Sequence, residues 1–271
     1  MRRGAESLLR DLIHERLGLF FDDSKISLLA DKLSPLIIER GFDSFLDYFY
    51  LLKYDADSAG EWRNVVNALS VQETYFWREM DQIHGLAENV IPDLLAKDPH
   101  APIRIWSAAC ATGEEPLTIA MRLNENGWFE RADIKIYASD ASSAALERAQ
   151  NGLYRERSFR ALPADLKERY FAPEGREWRV APDLSRKISW TQANLLDAGE
   201  IEKLARVSII FCRNVFIYFS SEVVRRVVAS FAEKMSVPAF LFVGAAESLL
   251  KATDDFELEE IGSAFVYVKR K

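Results

Sequence analysis

Cysteine and histidine are scarce in this 271-residue sequence. Its 2 cysteines, Cys110 and Cys212, are far apart and lack a CxxC spacing, and its 3 histidines, His14, His84 and His100, are scattered. A zinc site needs clustered ligands, so no bound metal is expected. We expect both cysteines to be reduced side chains packed near strand ends.

Long hydrophobic stretches are also missing. The longest, such as Pro238–Ala246, are far shorter than the roughly 20 apolar residues that span a bilayer. No apolar segment of the kind found in signal peptides follows Met1–Ser7. We therefore expect a cytoplasmic protein that does not insert into membranes.

The sequence lacks an excess of positive charge and the common phosphate-binding motifs. Its formal net charge of -7 and its pI near 5.2 argue against binding nucleic acid through the overall field. Neither GxGxxG nor GxxxxGKS/T occurs, so a dinucleotide or a nucleoside triphosphate is not the expected ligand. With 49% hydrophobic residues, 12 Gly and 9 Pro, the composition is that of a folded globular protein.

Three hydrophobic stripes with the helical i, i+3, i+4 spacing occur in the first 75 residues. They are Leu8, Leu9, Leu12 and Ile13; Leu29, Leu33 and Ile37; and Phe45, Tyr48, Phe49 and Leu52. Asp22 and Ser24 are candidate N-caps for the second helix, and Gly41 is its candidate C-terminal stop. The pattern predicts a small all-α domain over residues 1–75.

From residue 99 to 271, short apolar runs rich in β-branched and aromatic residues alternate with helical segments. The runs are Ile103–Trp106, Ile134–Ala138, Val207–Cys212, Phe240–Gly244 and Ala264–Val268. Such alternation predicts an α/β fold with a doubly wound, mainly parallel, Rossmann-like sheet, in which ligands bind at the carboxyl ends of the strands. Residues 76–98 are predicted to be a linker with one amphipathic helix, Ile83–Leu95.

One stretch of the α/β region departs from the alternation. Trp178–Val180 and Ile188–Trp190 are short strand candidates separated by Ala181–Ser185, which contains a proline. The pattern predicts an antiparallel hairpin, and with it a small β-subdomain inserted at about residues 172–192.

Small and acidic residues follow the first predicted strand. The segment Ala108–Gly113 would let a ligand approach the backbone closely, and Pro116 indicates that a helix begins next. Glu114 and Glu115 would repel a phosphate and attract a cation such as an amino group. An ordinary tight turn between a strand and a helix explains the same residues.

Polar residues also follow other predicted strands. Asp140 is placed either to bind both hydroxyls of a ribose or to cap the next helix. Arg213, Asn214 and Tyr218 follow an apolar run and are either turn formers or site residues. The Asn-Pro-Pro-aromatic tetrapeptide that amino-methylating nucleic-acid enzymes carry at this place is absent. Aromatic residues beside Arg78 indicate either interdomain packing or a cleft.

Taken together, these segments resemble the CheR-type chemoreceptor glutamate O-methyltransferases over nearly the whole chain. The resemblance rests on the helical leader and, in this order, on Thr74–Arg78, Ser107–Pro116, Ala138–Asp140, Ala193–Leu196, Phe211–Phe219 and Phe242–Ser248. It implies an S-adenosylmethionine-dependent enzyme that esterifies glutamates on the cytoplasmic domain of methyl-accepting chemoreceptors and releases S-adenosylhomocysteine. We expect a monomer that binds no nucleic acid.

The resemblance also implies roles for the matching site residues. Arg78 is expected between the cofactor and the substrate carboxylates, and Tyr218 close to the transferable methyl group, so both are candidate catalytic residues. The residues expected to contact the cofactor are Gln72, Thr74, Arg78, Ala109, Gly113, Glu114, Asp140, Asn194, Leu195, Arg213 and Asn214. Glu114 would face the methionyl amino group, Asp140 the ribose, and Asn194–Leu195 the adenine.

Three features depart from the family's pattern. Gln72 stands where Asn is common, and Ala245 stands where His is common in a Gly-His-Ser-Glu signature. Residues 1–75 hold 9 Lys and Arg against 13 Asp and Glu, whereas family members often carry a basic second helix that faces the receptor.

Two alternative functions stay open. One is a methyltransferase that acts on a small acid or another protein, and the other is a non-catalytic regulator that binds the same cofactor.

Overall fold

The computed structural model of the protein describes residues 4–56 and 58–271. The amino-terminal part of these residues is a bundle of four helices. The helices are α1 (Ala5–Leu17), α2 (Ile26–Glu39), α3 (Phe45–Tyr54) and α4 (Ser58–Leu69). The three predicted stripes supply its core, in which Leu9, Leu33 and Tyr48 are fully buried. Helix α4 adds Trp62 and Val65, which no predicted stripe included. The predicted helical bundle is confirmed.

The N-cap position of α2 is Lys25, so neither Asp22 nor Ser24 caps this helix as predicted, whereas the predicted stop at Gly41 is present. The Asp22 carboxylate accepts a hydrogen bond from the Ser24 amide at 3.0 Å and begins a 3-10 turn, Asp23–Lys25, that leads into α2. Gly41 follows the helix with a φ of 74°, and its amide donates to the Ile38 carbonyl. Because left-handed backbone favours glycine, this helix stop could be predicted from sequence.

A helical connection joins the bundle to the sheet. It consists of α5 (Met80–Gly85), a π-helical segment (Leu86–Val90) and α6 (Ile91–Lys97). The predicted amphipathic helix is present and extends further at both ends than predicted. Its apolar face, including Ile83 and Leu86, packs into the core on one side of the sheet.

A seven-stranded sheet forms the centre of the α/β part. Its strands are β1 (Ile103–Ala108), β2 (Ile134–Asp140), β6 (Ile188–Gln192), β7 (Ile209–Phe211), β8 (Ala239–Phe242), β9 (Glu257–Ile261) and β10 (Ala264–Lys269). In the order β6-β2-β1-β7-β8-β10-β9, neighbours are parallel except that β10 runs antiparallel to β8 and β9. The predicted mainly parallel sheet is confirmed, and the predicted runs correspond to β1, β2, β7, β8 and β10.

Further helices surround the sheet. They are α7 (Glu114–Glu125), α8 (Trp128–Arg131), α9 (Ser143–Asn151), α10 (Ala164–Tyr170), α11 (Pro182–Ser185), α12 (Ala198–Ile201) and α13 (Ser221–Lys234). Alternate residues of β1 enter two cores, since Ile105 packs with Leu117 of α7 and Trp106 packs against Phe231 of α13. The strand order reverses beside β1, where a ligand crevice opens in sheets of this kind.

The predicted hairpin between Trp178–Val180 and Ile188–Trp190 is wrong. The small antiparallel sheet consists of β3 (Leu153–Tyr154), β4 (Phe171–Glu174) and β5 (Glu177–Val180), in the order β3-β5-β4. The hairpin turn lies at Gly175, which has a φ of 63°. Strand β6 instead joins the main sheet parallel to β2, where Ile188 pairs with Ile136 and both side chains are buried. In this position, Ile188 belongs to the core on one side of the sheet, and Trp190 packs against that core.

Candidate functional site

A cavity of about 330 Å³ lies where the carboxyl ends of β1, β2 and β7 meet the helical bundle. Most predicted site residues line it: Gln72, Thr74, Arg78, Ala109, Asp140, Asn194, Leu195, Arg213, Asn214 and Tyr218. These residues come from separate stretches of the chain, which the fold brings to one place. Gly113 and Glu114 were also predicted, but they do not belong to the lining.

The loop between β1 and α7 follows an unusual backbone path. Ala109 and Ala111 have φ values of 55° and 48°, a region that costs free energy for residues with a side chain. The Cys110 amide donates at 2.8 Å to a carbonyl near the end of β2, which ties the loop to that strand. At Gly113, with a φ of 92°, a Cβ would lie 2.8 Å from Trp190. Gly113 therefore shapes the loop, and Ala109 borders the cavity.

Two backbone amides fix Asp140 at the end of β2. Its Oδ2 accepts from the Ala111 amide at 2.9 Å, and its Oδ1 accepts from the Ser142 amide at 2.8 Å. The N-cap of α9 is Ser142, whose hydroxyl accepts from the Ala145 amide, so Asp140 is not the cap. Burial raises the pKa of the Asp140 carboxyl. Each of its oxygens keeps a lone pair for a further donor, such as a ribose hydroxyl.

The two adjacent carboxylates of α7 have different surroundings. Glu114 is buried and accepts from the hydroxyls of Thr112 at 2.6 Å and Ser158 at 3.0 Å, outside the cavity lining. Glu115 lines the cavity and accepts from the Ser107 hydroxyl at 2.6 Å. Successive helix residues point about 100° apart, so the pair diverges. The predicted placement of Glu114 in the pocket is corrected, because Glu115 is the carboxylate found there.

The buried Glu114 makes stability depend on pH. Burial raises the pKa of its carboxyl, although hydroxyl hydrogen bonds act in the opposite direction. Such a group favours folding below its ordinary pKa and loses that contribution as the pH rises through its folded-state pKa. We therefore expect the melting temperature of Glu114→Gln, relative to wild type, to increase as the pH rises above the ordinary carboxyl pKa of 4.5, and to level off above the folded-state pKa. Thermal unfolding of both proteins checks this, and a difference that stays constant or shrinks contradicts it.

Arg213 links three parts of the cavity wall. Its side chain is only 2% exposed and forms ion pairs with Glu115 at 3.4 Å and Glu79 at 3.1 Å. It also donates to the Arg78 carbonyl at 2.8 Å. Two carboxylates offset the cost of burying one guanidinium. The pairing thus holds the segment before α5 against α7 and the end of β7.

Arg78 presents a partly exposed guanidinium to the cavity. Its Nη1 donates to the Glu73 carbonyl at 3.1 Å, and its Nε lies 3.7 Å from the Glu79 carboxylate. The guanidinium also lies 5.6 Å from the centroid of the Tyr75 ring. These contacts orient the side chain and leave it accessible to an anion.

The turn after β7 carries Asn214 and Tyr218. Asn214 has a φ of 60°, and its side-chain amide donates to Glu79 at 3.4 Å. Tyr218 is 36% exposed at the edge of the cavity, and its carbonyl accepts from the Phe20 amide at 2.8 Å. The helical bundle is therefore bonded directly to this turn.

Two predicted side chains already have partners within the protein. The Gln72 Oε1 accepts from Arg148 at 3.3 Å. The Asn194 Nδ2 donates to the Arg16 carbonyl at 2.9 Å, and its Oδ1 accepts from the Leu196 amide at 3.1 Å. The Asn194 side chain thus joins the bundle to the sheet. Because both of its polar atoms have partners, the backbone of Asn194 and Leu195 is the part of this loop that can border a ligand.

Glu247 anchors two loops of the cavity wall, a role that its motif in the sequence did not indicate. Its Oε2 accepts from the amides of Asn214 at 2.8 Å and Gly244 at 2.7 Å, and its Oε1 accepts from the Ile217 amide at 3.3 Å. A Cβ on Gly244 would lie 2.5 Å from the Asn214 side chain, so the two loops are in close contact. One carboxylate thus holds the turn after β7 against the turn after β8.

Cys110 and Cys212 are free and buried, as predicted, and burial raises the pKa of both thiols. Within residues 4–56 and 58–271, no three His, Cys, Asp or Glu side chains are arranged to hold a metal ion. In the same ranges, none of the helices combines the length and the apolar character that crossing a bilayer requires.

The chain is similar to known proteins along most of its length. Residues 7–70 match the family "CheR methyltransferase, all-alpha domain", and residues 72–265 match "CheR methyltransferase, SAM binding domain". "Chemotaxis protein methyltransferase 2" of Vibrio cholerae is 36% identical over 264 residues, which cover 96% of this chain and 91% of that protein. A protein of the same name from Pseudomonas aeruginosa is 33% identical, with coverage of 90% and 86%. "Chemotaxis protein methyltransferase" of Salmonella typhimurium is 31% identical, with coverage of 91% and 84%.

These matches include both the helical bundle and the sheet, and the cavity lies between the two. They confirm the resemblance predicted from the motifs, and they confirm S-adenosylmethionine as the cofactor. The chain belongs to the CheR methyltransferase family.

Proposed function

We propose that this member of the family transfers a methyl group from S-adenosylmethionine to glutamate side chains of chemoreceptors. The observation that carries the proposal is the presence of Asp140, Glu115 and Arg78 around one cavity. Two carboxylates suit the hydroxyl and ammonium groups of the cofactor. An accessible guanidinium suits a carboxylate acceptor.

The lining fits the cofactor group by group. Asp140 would accept hydrogen bonds from the ribose hydroxyls, and Glu115 would face the methionyl ammonium. The peptide groups of Ala109 would border the cofactor closely, and those of Asn194–Leu195 would border the adenine. The other residues proposed to contact the cofactor are Gln72, Thr74, Arg78, Arg213 and Asn214. Gly113 and Glu114 would act only by shaping the loop before α7.

Methyl transfer to a carboxylate needs alignment more than acid–base catalysis. A glutamate ionises near a pH of about 4.3, so the nucleophile already carries its charge at neutral pH. Bound S-adenosylmethionine supplies an electrophilic methyl group on a sulfonium ion. Arg78 would orient the acceptor carboxylate, and the Tyr218 hydroxyl would replace water that the carboxylate loses on entering the cavity. When the carboxylate attacks the sulfonium methyl group, the charges of both groups decrease in the transition state. A guanidinium that bound the full carboxylate charge tightly would therefore favour the reactants. The role proposed for Arg78 is accordingly to orient the nucleophile and not to activate it.

The names of the relatives support a partner in chemotaxis. We propose the cytoplasmic domain of a methyl-accepting chemoreceptor as the substrate, the cytoplasm as the compartment and a monomer as the acting form.

Labelled methyl transfer tests the proposed function. The protein is incubated with methyl-labelled S-adenosylmethionine and a chemoreceptor cytoplasmic fragment, and base-labile label released as methanol is expected. A matched fragment with glutamine at the methylated positions should take up no label. Label only on small acids would favour a small-molecule methyltransferase. Cofactor binding without transfer to any acceptor would favour a non-catalytic regulator.

The anchoring role of Glu247 leads to a further expected result. Glu247→Ala should lower the melting temperature and reduce turnover about tenfold, because three backbone amides lose a charged acceptor. Glu247→Gln keeps one acceptor oxygen and should recover part of both losses. Glu260→Ala removes an exposed carboxylate from β9 and serves as the control, with no change expected. Turnover and unfolding measurements on the three variants check this, and wild-type turnover in Glu247→Ala contradicts it.

A further inference from the structure

The carboxylate of Glu79 contacts three residues that line the cavity, although Glu79 itself does not line it. Its Oε2 accepts from the Arg213 Nη2 at 3.1 Å and from the Ala245 amide at 3.3 Å. Its Oε1 accepts from the side-chain amide of Asn214 at 3.4 Å and lies 3.7 Å from the Nε of Arg78. One side chain from the segment before α5 thus contacts its neighbouring arginine, the turn after β7 and the turn after β8.

The backbone on both sides of Arg78 is left-handed. Trp77 has a φ of 71° and Glu79 a φ of 51°, values that cost free energy for residues with a side chain and persist only where the surroundings hold them. The Trp77 amide donates to the Thr118 hydroxyl at 3.2 Å. Glu79 occupies the N-cap position of α5, yet its side chain makes no capping hydrogen bond, because it is directed to the two turns instead. The structure therefore holds the backbone of Arg78 at both ends.

Two guanidiniums and two carboxylates meet in this part of the cavity wall. Arg213 lies 3.4 Å from Glu115 and 3.1 Å from Glu79, and Glu79 also faces the Nε of Arg78. The formal charges of these four groups sum to zero. Loss of the Glu79 carboxylate would leave one positive charge in excess and would remove the carboxylate that Arg78 faces. An acceptor carboxylate would then be attracted more strongly, by a guanidinium that is held less firmly.

We propose that Glu79 is a positioning residue for methyl transfer. This inference rests on the proposed function and adds to it a group that acts through Arg78. A guanidinium carries its five N–H donors in a rigid planar fork, so a contact that fixes the Nε edge also sets the direction of the other donors. Without the Glu79 carboxylate, Arg78 would still bind the acceptor but would hold it in more than one orientation. An acceptor that is bound out of line with the methyl group reacts slowly.

Kinetics with Glu79→Gln tests the inference, because this substitution keeps the length of the side chain and removes its charge. The turnover number should fall about tenfold, while the KM for a chemoreceptor cytoplasmic fragment should stay the same or fall. The dissociation constant for S-adenosylhomocysteine should change much less than turnover, since Glu79 does not line the cavity. A merely structural role would give a different result, because a loosened cavity raises both the KM and the dissociation constant.

A double variant tests whether Glu79 acts through Arg78. Residues that act as a unit have non-additive effects, so adding Glu79→Gln to Arg78→Ala should lower turnover by less than about a further twofold. A further tenfold loss in the double variant would show that Glu79 acts independently of Arg78 and would overturn the inference. Wild-type turnover in Glu79→Gln, or a KM that rises as turnover falls, would also overturn it.

Two other variants complete the experiment. Glu79→Asp keeps the charge on a shorter side chain and should give a turnover between those of Glu79→Gln and the wild type. Glu88→Gln is the matched control, since Glu88 belongs to the same helical connection, pairs with Arg122 of α7 and does not line the cavity. Its side chain is 49% exposed, so its turnover should change less than about twofold. Thermal unfolding shows whether each variant is folded.

The same experiments keep the two proposals apart. If the wild type forms no base-labile ester on the fragment, the proposed function fails, and the inference about Glu79 fails with it. If the wild type forms the ester and Glu79→Gln keeps its turnover, the inference alone fails.

Discussion

Asp140→Ala is expected to weaken the binding of S-adenosylhomocysteine by at least about 100-fold. The substitution removes the carboxylate proposed to accept from both ribose hydroxyls. It also leaves the amides of Ala111 and Ser142 without their acceptor, which loosens the loop that borders the cofactor. Two hydrogen bonds to a charged group contribute roughly 3 kcal/mol or more, and that corresponds to about two powers of ten in the dissociation constant.

A matched aspartate provides the control for Asp140. Asp133 lies just before β2, is paired with Arg104 at 2.6 Å and does not line the cavity. Asp133→Ala removes the same charge and should leave the affinity unchanged. Calorimetric titration of both variants and the wild type measures the effect, and thermal unfolding shows whether each variant is folded. An Asp140→Ala protein that is folded and binds with wild-type affinity would remove this residue from the site.

Arg78→Ala is expected to reduce the turnover number for methyl transfer about 100-fold, or roughly 3 kcal/mol in the barrier. The acceptor carboxylate would still reach the cavity, but no guanidinium would hold it in line with the methyl group. The affinity for S-adenosylhomocysteine should fall much less, because the acceptor is absent from that complex. Arg78→Lys keeps the charge without the planar fork and should give an intermediate turnover.

Arg160 is a stringent control for Arg78. Its guanidinium lies 3.8 Å from the centroid of the Tyr75 ring, and it pairs with Glu73 at 2.8 Å, yet it does not line the cavity. Arg160→Ala should change turnover less than about twofold, as expected for an exposed ion pair. Equal losses in the Arg78 and Arg160 variants would mean that packing of the Tyr75 segment, and not orientation of the acceptor, is what the substitutions disturb.

Local patterns predicted most of the fold. Helical stripes identified the bundle, and apolar runs with the two short strand candidates identified seven strands, β1, β2, β5, β6, β7, β8 and β10, because these signals depend on residues close together in sequence. The hairpin prediction failed because Ile188–Trp190 was joined to the nearest strand candidate, whereas it pairs with β2 and packs into the core of the main sheet. Strand β9 was not predicted, since its mainly charged sequence is that of an edge strand. The boundaries 1–75, 76–98 and 99–271 stay predictions.

The residues of the functional site were predicted less completely than the fold. Asp140 and Arg213 could be identified because polar residues follow apolar strands there, and the motifs supported them. The choice between Glu114 and Glu115 needed the position of α7 against the sheet, since both residues occupy its first turn. The role of Glu247 could not be predicted, because its three donors belong to two loops that meet only in the folded protein.

By itself, the sequence determined the class of fold, the order of its main helices and strands, and the residue types available at the strand ends. Periodicity and capping are properties of neighbouring residues, so these features follow from local physical chemistry. Only the tertiary structure decided which strands pair, which carboxylate of α7 lines the cavity, and that Glu79 contacts both Arg78 and Arg213. These outcomes depend on how segments far apart in the chain pack against one another, and no local pattern encodes that packing.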